Sequence, residues 1–590
     1  MNELVIPNEA VHDVATYQVL IEGKAIDPSY QLLSLSISRE INRIPVATLV
    51  FRDGEAAERD FKISNEDIFV PGKKVKINIG RDGSNKQGFQ GIVNRHAIRI
   101  KEDGKAELHI ECRDEAVRMT IGRHSKYYRQ LKDSRLFDEL IGKYSGLKSD
   151  PETTTLEHKE IVQHHISDWD FMLLRAEANG MLVNVIDGTI KVSRPDTSPD
   201  PVLQVAYGSS VLQFEAEMDA RNQWENVEAK SWDYSNQQLF KADTSSAKFT
   251  EPGNIKGSDL AKAIDLKKYE LHHSGHLLQQ ELQDWVNGSM LRSRMAKVRG
   301  RAKFDGFGGI KPGDMVKLEG VGNRFKGNSY VTAVRQEIGK GIWQTHIQFG
   351  LDPNIYAQAH RDVFDEQSAG LIGSIHGLQI GKVVQLQNDP DGDDRILVKI
   401  PTLDNDGQGI WTRVASLDAG SKRGAFFRPE IDDEVIIGFI NDDPRHAIML
   451  GMLNSSAKPA PVTAQDANDE KGFTTRSNMQ LYFNDKTKTI KIKTPAGNSI
   501  TLDEQGTMIE ITDQNQNKMT MDTSGIKIES PKNIDIKAGV NLTLGAGATL
   551  SIGGVSLSIK ADADVSIKGS QGSFDGGSMT VIKGGSVMIN

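Results

Sequence analysis

Histidines crowd one short stretch of the chain, where imidazole nitrogens could bind a metal ion. His272, His273 and His276 lie close together in sequence, and neutral imidazole is a common zinc ligand. No carboxylate or cysteine joins them at a defined spacing, so a solvated loop explains the stretch better than a zinc site. His164 and His165, just before a predicted helix, are interpreted in the same way. We predict no metal site at either place.

An acidic run imitates the start of a calcium-binding loop. Asp389, Asp391 and Asp393 alternate along the chain, as the first ligands of an EF-hand loop do. Such a loop continues with glycine and carries glutamate at its twelfth position. This chain has Asp394 and Ile400 at those places. We therefore interpret the run as an aspartate-rich β-turn.

The glycine-rich segment 306–313 resembles a phosphate-binding loop only in composition. It lacks the strand-to-helix context and the Lys-Ser or Lys-Thr ending that such a loop requires. We interpret the segment as a β-hairpin.

Catalytic side chains are equally hard to single out. Acidic residues number 80, so proximity in sequence cannot promote Asp168, Asp170 or Glu434 to a hydrolase pair. A Gly-x-Ser-x-Gly motif does not occur. Cys112, the single cysteine, lies on a predicted strand and is interpreted as a small buried hydrophobic residue. We predict that the chain is not an enzyme and uses no cofactor.

Composition narrows the class of protein further. A chain of 590 residues is too long for one hydrophobic core, so several domains are expected. The net charge is -9 with both signs interspersed, which argues against a nucleic-acid partner. The first residues lack the basic and apolar regions of a signal peptide. We expect the chain to be made and assembled in the cytoplasm and to leave the cell only as part of a larger machine.

The elements that position these residues are mainly β-strands. In residues 1–200, short alternating runs predict a small barrel, and apolar residues at helical spacing predict helices over 134–144 and 167–179, each starting at a favourable serine cap. Residues 201–372 predict a second barrel, interrupted by a helix over 277–295 that contains Gly288. We interpret both regions as a hub.

A compact β region and a spacer follow the hub. Five short strands predict an OB-type barrel in residues 373–454. Residues 455–472 are rich in proline and small residues, which favours an extended linker.

The last region, residues 473–590, contains a repeat. Pairs of apolar residues flank one polar residue, and successive pairs start eight residues apart, with a single step of seven. Within a pair the i, i+2 spacing places both apolar side chains on one face of a strand. The twelve residues of these pairs form the predicted needle core: Ile526, Ile528, Ile534, Ile536, Leu542, Leu544, Leu550, Ile552, Leu557, Ile559, Val565 and Ile567.

Each repeat is too small to enclose a core by itself. Repeat units bury an apolar face by stacking or by association, and large aromatic residues that could fill a wide interior are nearly absent after Phe483. We expect three copies to wind about one axis as an intertwined triple-stranded β-helix. A single-chain parallel β-helix and a disordered tail are the alternatives.

The order of hub, OB barrel, linker and needle resembles the VgrG spike proteins of type VI secretion systems and related extracellular contractile injection systems, which themselves resemble phage tail hubs and needles. In the hub, the matching residues are Gln163, Ser167, Asp168, Phe171, Glu177 and Gly180. The second barrel is similar over 310–316 and 325–331. The OB segment follows the family pattern over 381–384, 389–401, 411–416, 428–435 and 442–451.

The resemblance implies a homotrimeric spike whose hub docks on tube and baseplate proteins and whose needle crosses a target membrane. It also implies that a separate PAAR-type protein caps the needle end, formed by Val587, Met588, Ile589 and Asn590. No lysozyme or toxin domain interrupts the chain, so the effectors are expected to be products of other genes. The rival interpretation is a trimeric phage-type tailspike that binds or degrades surface polysaccharide. Whether the machine is anchored in a cell or released stays open.

Overall fold

The computed structural model describes residues 4–7 and 14–589. Two compact units make up the chain, Met1–Gly451 and Met452–Asn590. Among the described residues, no helix is both long enough and apolar enough to cross a membrane.

The hub strands, in chain order, are β1 (Ala15–Ile21), β2 (Lys24–Ala25), β3 (Leu32–Glu40), β4 (Val46–Arg52), β5 (Lys74–Arg81), β6 (Ser84–Ile100), β7 (Ala106–Arg113), β8 (His124–Lys132), β9 (Lys148–Pro151), β10 (Glu157–Ile166), β11 (Leu182–Ile186), β12 (Thr189–Ser193), β13 (Leu203–Ala206), β14 (Val211–Met218), β15 (Val227–Asp233), β16 (Gln238–Thr244), β17 (Tyr269–His273), β18 (Val298–Asp305), β19 (Met315–Glu319), β20 (Gly327–Gly339) and β21 (Ile342–Phe349). The α-helices are α1 (Asp133–Gly142), α2 (Asp168–Ala178), α3 (Gly257–Ile264), α4 (Gln279–Met295) and α5 (Tyr356–Ala359). Short 3-10 helices cover Glu115–Thr120 and Arg361–Val363, and turns that contain left-handed residues cover Gln367–Gly370 and Ile440–Asp442.

One sheet runs through both predicted hub regions. Thirteen strands join in it, in the order β14-β18-β21-β20-β3-β4-β7-β6-β5-β1-β2, with β19 beside β20 and β13 beside β19. Strand β20 pairs antiparallel with β3, so Gln336 lies opposite Ile37. The sequence predicts two barrels with a boundary near residue 200, whereas the structure joins their strands directly. A local sequence pattern predicts a strand but does not show which distant strand pairs with it.

The strands of the hub sheet contribute to two clusters of buried apolar side chains. One contains Phe51, Phe69 and Phe89, and the other contains Phe304 and Phe349; each of these rings is at most 2% exposed. The alternation of buried and exposed residues along the strands produces both clusters, because successive side chains of a strand point to opposite faces.

Two insertions that contain helices interrupt the strands of the sheet. The first insertion contains α1 and α2, and the second contains α3 and α4. Helices α1, α2 and α4 lie close to where the sequence predicts helices. Helix α2 begins after Ser167, whose hydroxyl oxygen accepts the amide proton of Asp170 at 3.0 Å. Helix α1 begins after Lys132 and has no side-chain cap, so the prediction of a capping Ser134 is wrong. Strand β8 ends at Lys132 and the helix follows at once, which puts Ser134 inside the first turn. Helix α4 passes Gly288 without a break.

The glycine-rich segment 306–313 is not a hairpin. Strand β18 before it pairs with β14 and β21, whereas β19 after it pairs with β13 and β20. At Gly306 an added Cβ would lie 2.1 Å from Cδ2 of Trp343. Only glycine fits against that ring. The segment crosses from β18 to β19, and these two strands do not pair with each other.

The predicted OB barrel is confirmed. Its strands are β22 (Gln379–Gln385), β23 (Ile396–Lys399), β24 (Ile410–Val414), β25 (Ala419–Gly420), β26 (Arg423–Gly424), β27 (Glu434–Phe439) and β28 (Ala447–Met452). Five of them close into a barrel in the order β22-β23-β24-β28-β27, and β25 pairs with β26 as a separate hairpin. The barrel core includes Val383, Val398, Val435, Ile437 and Met449.

The second unit opens with an antiparallel meander. Its strands are β29 (Glu470–Thr474), β30 (Gln480–Asn484), β31 (Thr489–Lys493), β32 (Ser499–Asp503), β33 (Met508–Thr512), β34 (Lys518–Asp522) and β35 (Gly525–Glu529). They form one seven-stranded sheet in chain order. From residue 530 to residue 589 the described chain has no strand, so a single copy does not form the predicted β-helix.

Candidate functional site

The meander presents two parallel rows of apolar side chains on one face. Strands β30 to β35 each contribute two residues at i, i+2, and the strand register aligns them. Row A consists of Leu481, Ile492, Ile500, Ile511, Met519 and Ile528. Row B consists of Phe483, Ile490, Leu502, Ile509, Met521 and Ile526. We call the two rows together the apolar face.

No described part of the second unit covers the apolar face. Ile492 is 48% exposed and Ile528 is 56% exposed, whereas isoleucines of the hub core are almost fully buried. A cleft of about 560 Å³ runs along row A, and another of about 520 Å³ runs along row B. Uncovered apolar surface that extends over several strands marks an interaction site.

The opposite face of the same sheet is polar. Tyr482, Lys491, Thr501, Glu510, Thr520 and Lys527 follow one another across the strands there. Lys518 Nζ lies 2.5 Å from Glu510 Oε2, and this hydrogen bond lowers the pKa of the Glu510 carboxyl from its ordinary value. A sheet with one polar and one apolar face is stable in water only when the apolar face is covered.

The predicted needle-core residues divide between the sheet and the chain beyond it. Ile526 and Ile528 lie on β35 and end the two rows. The other ten lie on the described segment that has no strands, exposed from 52% at Ile534 to 73% at Ile567. Ile534 lines the same cleft as row A, so the strandless segment begins beside the apolar face. A single copy does not bring the remaining pairs together.

Sequence reasoning missed ten residues of the apolar face. Their pairs start at Leu481, Ile490, Ile500, Ile509 and Met519, so the step alternates between nine and ten residues. A search for steps of eight overlooks them. A search for a 19-residue hairpin repeat would find them, since Leu481, Ile500 and Met519 are separated by that interval.

The predicted tip residues are exposed in a single copy. Val587 is 51% exposed, Met588 is 89% exposed and Ile589 is 86% exposed. Asn590 lies outside the described residues.

In the hub, the motif that carries the family resemblance builds the start of α2. The Gln163 amide donates to Asp168 Oδ1 at 2.8 Å, and Lys143 Nζ donates to both Asp168 oxygens at 3.0 Å. Tyr144 also donates to Asp168 through its hydroxyl, at 3.0 Å. Burial and this carboxylate raise the pKa of the Tyr144 phenol. Asp168 therefore has a structural role, as a buried anion with three donors.

The end of the same motif ties α2 to the segment that leaves the hub. Glu177 is paired with Arg292 of α4, and its other oxygen accepts from the amide of Tyr356 at 2.8 Å. Arg292 also donates to the carbonyls of Asp352 and Asn354. These contacts hold residues 352–356 against both helices.

The candidate chemical sites have structural explanations. Asp389 accepts amide protons from Asp391 and Asp393, and the Arg395 guanidinium lies 2.6 Å from its carboxylate. The hydrogen bonds from Arg395 hold the pKa of Asp389 well below its usual range. An arginine thus stands where a calcium ion would, and the predicted turn is confirmed.

Two of the histidines lie beside acidic residues, and the cysteine is buried. His272 lies 3.2 Å from Glu270 and His276 lies 3.4 Å from Asp233. In the part of the chain that the structure describes, no three His, Cys, Asp or Glu residues are placed to hold a metal ion. Cys112 is fully buried, as predicted, and burial raises the pKa of its thiol to about 12.

Comparison with known proteins agrees with the predicted resemblance. Residues 379–453 match the family model described as the type VI secretion system/phage-baseplate injector OB domain. The type VI secretion system spike protein VgrG3 of Vibrio cholerae is 28% identical over 118 residues, which cover 19% of this chain and 12% of that protein. The chain thus matches about an eighth of that relative's length. The predicted VgrG-like character is confirmed at this level.

Two solved structures are similar over larger shares of the chain. The similarity to a chain of the Francisella PdpA-VgrG complex covers 90% of this chain and 81% of that chain, with 10% identity and a TM-score of 0.38. The 43 kDa tail protein of prophage MuSo2 from Shewanella oneidensis covers 57% of this chain and 98% of its own, with 10% identity and a TM-score of 0.44. Both TM-scores are below 0.5, so neither similarity supports an argument.

A second family model covers more than half of the chain. Residues 11–340, which include most of the hub sheet and both helical insertions, match the model described as the Alg8 N-terminal domain. The chain therefore belongs to the Alg8 N-terminal domain family, and its injector-type OB domain makes it VgrG-like.

Proposed function

We propose that the protein is the spike of a contractile injection machine, in which three copies join their second units into a needle that pierces the target envelope. The injector-type OB domain supports a spike of this general class. The apolar face supports the needle, because it gives each copy a surface that only association can bury.

Three sheets arranged as the sides of a prism would place rows A and B of every copy at the centre. The polar rows of Lys491, Glu510 and Lys527 would then face water. Ile534 adjoins row A, and the octad pairs from there to Ile567 would extend the same axis toward the tip. In that segment each copy contributes two apolar side chains per repeat, which suits a narrow shaft.

The ends of the spike would have separate partners. Tube and baseplate proteins would bind the hub, and a PAAR-type protein would cover the needle end at Val587, Met588, Ile589 and Asn590. Effectors made by other genes would travel with the spike, and the target membrane would be crossed only transiently. The particle would be assembled in the cytoplasm and then exported or released.

The uncovered apolar face is the observation that carries this proposal, and two neighbouring residues of β32 test it. Ile500 belongs to row A, and Thr501 points to the polar face. Ile500→Asp would bury an uncompensated charge in each copy, so we expect the trimer to dissociate. Thr501→Asp introduces the same carboxylate on the polar face, and this variant should remain trimeric.

Mass photometry of the full chain measures both variants against the parent. A stable folded monomer of the parent would contradict the proposal. Equal trimer fractions for the two variants would show that row A does not face the axis.

A further inference from the structure

The OB barrel carries a hairpin, here called the finger, whose apolar side chains are almost fully exposed within the described part of the first unit. The hairpin of β25 and β26 projects from the barrel, and the Ala425 amide donates to the Asp418 carbonyl at 2.9 Å to close its base. Leu417 and Phe426 flank that hydrogen bond and are 90% and 91% exposed. No other large apolar residue described in the first unit is exposed as much.

Contacts within the finger hold its two arms together. Arg423 Nη1 lies 2.8 Å from Asp418 Oδ1 across the hairpin, and the Ser416 hydroxyl donates to the Asp418 carbonyl at 3.1 Å. At Gly424, with φ of 128°, an added Cβ would lie 2.3 Å from the Asp418 carbonyl oxygen. The two arms therefore approach so closely that only glycine fits there. A pre-ordered aromatic anchor loses little conformational entropy on binding.

The same barrel has an apolar patch on the outer side of β22 and β27. Ile380 lies opposite Ile436 in the strand register. Leu378 and Leu450 lean over Gly438, where an added Cβ would lie 3.5 Å and 3.3 Å from them. Leu378 is 58% exposed and Leu450 is 52% exposed. We call these side chains the barrel patch.

Opposite charges lie beside the finger and the patch. Lys422 at the fingertip and Glu434 beside the patch are exposed, and among the residues that the structure describes neither forms an ion pair. Lys382, which lies opposite Glu434 in the strand register, pairs with Asp432 instead. Complementary charges favour the pairing of the two surfaces.

We propose that the finger of one copy binds the barrel patch of the next copy. Finger and patch are different surfaces of the same barrel, so the contact is heterologous, and repetition about an axis closes it into a ring. The inference rests on the proposed trimer, which supplies that axis. It adds an interface at the OB barrels that is separate from the apolar face of the needle.

Cross-linking of the full chain tests the inference. Ser421→Cys combined with Leu378→Cys places one thiol on the finger and one on the patch while Phe426 is retained, and the native Cys112 is fully buried. We expect a short bis-maleimide to produce covalent trimers on denaturing gels. The control combines Leu403→Cys with Leu378→Cys, because Leu403 is 64% exposed but lies outside the finger. The control should remain monomeric on the same gels.

A charge exchange in the same cysteine background provides the second measurement. Lys422→Glu should lower the cross-linking yield several-fold, and the added change Glu434→Lys should restore it. Native mass separates this inference from the proposed function. A trimer whose finger and patch cross-link no better than the control would overturn the inference alone, whereas a monomeric parent would overturn both.

Discussion

Gly180 and Gly288 touch backbone to backbone where the end of α2 meets the middle of α4: a Cβ added to either glycine would lie 2.9 Å from the Cα of the other. Gly180 also has a φ of 65°, which ends α2 in the left-handed region. The glycine in α4 that weakens its helix propensity is therefore the residue that lets the two insertions pack.

Gly288→Ala should destabilise the hub. The added methyl group would meet backbone atoms of Gly180, which cannot move aside, so we expect a loss of about 1–3 kcal/mol in the free energy of unfolding. Gly142→Ala is the matched control, because Gly142 ends α1 and an added Cβ meets no atom within 4 Å. The control should gain up to about 1 kcal/mol. Urea unfolding monitored by tryptophan fluorescence measures both changes, and equal midpoints would contradict the prediction.

Lys297 should be essential for the stability of the second insertion. Its side chain is 0% exposed, and Nζ contacts Glu251 Oε2 at 2.8 Å and the carbonyls of Pro252 and Ile255 at 2.9 and 2.7 Å. Lys297→Met would remove the nearest cation of the Glu251 carboxylate and leave only Arg294, whose Nε lies 3.9 Å away, so we expect a cost of about 3–5 kcal/mol. Lys268→Met removes an exposed partner of Glu228 and should cost less than about 1 kcal/mol. Similar melting temperatures for the two variants would disprove the buried role.

The hub should lose stability in acid through Asp133. Burial opposes ionisation of this carboxyl, but hydrogen bonds from His158 and Arg175 outweigh it and hold its pKa well below the usual range. A depressed folded-state pKa stabilises the fold above the unfolded value near 4, and this contribution disappears as pH falls toward the folded value. Asp133→Asn should therefore be less stable at pH 7 and should flatten the acid limb.

Thermal unfolding between pH 2.5 and pH 7 measures the effect of Asp133. Glu102→Gln is the control, since it removes a charge from an exposed turn between β6 and β7. A control with the same flattened limb would mean that general charge, rather than Asp133, sets the acid response.

The needle should depend on the octad pairs as well as on the sheet. Ile534→Asp combined with Ile536→Asp would place unpaired charges at the proposed axis, at a cost of several kcal/mol for each. We expect the double variant to lose the resistance to heat and detergent that an intermolecular core confers. Lys532→Asp combined with Lys537→Asp alters charge on neighbouring polar positions and should behave like the parent on unheated denaturing gels. Parental melting of the isoleucine variant would refute the inward assignment.

The tip should be dispensable for assembly but required for capping. Deletion of residues 579–590 removes exposed apolar residues at the proposed end of the needle, including Met588 and Ile589. We expect the shortened chain to remain trimeric while co-purification of a PAAR-type protein is lost. Normal recovery of the cap with the shortened trimer would show that the cap binds elsewhere.

Local pattern alone predicted the five OB strands and the helices α1, α2 and α4. The five OB strands lie where alternation and turn residues predict them. A small barrel buries one side of every strand, so each strand has an alternating apolar pattern in its sequence. Helices α1, α2 and α4 start and end within two residues of the predicted bounds. The burial of Cys112 also follows from its place on a strand.

The octad pairs show how far such a pattern extends. Spacing determined that Ile534 and Ile536 share one face of an extended chain, but it does not show what covers them. The pairs from Leu481 to Met521 lie outside the repeat of eight residues, because their starts are spaced alternately by nine and ten residues.

The long-range contacts were decided only by the tertiary structure. The pairing of β3 with β20, the glycine contact between α2 and α4, and the buried ammonium of Lys297 each join segments that are distant in sequence. Amino-acid type determined which local conformations and faces were available, because these depend on neighbours within a few residues. Which faces meet depends on packing and hydrogen bonding between distant segments, and only the folded chain decides it.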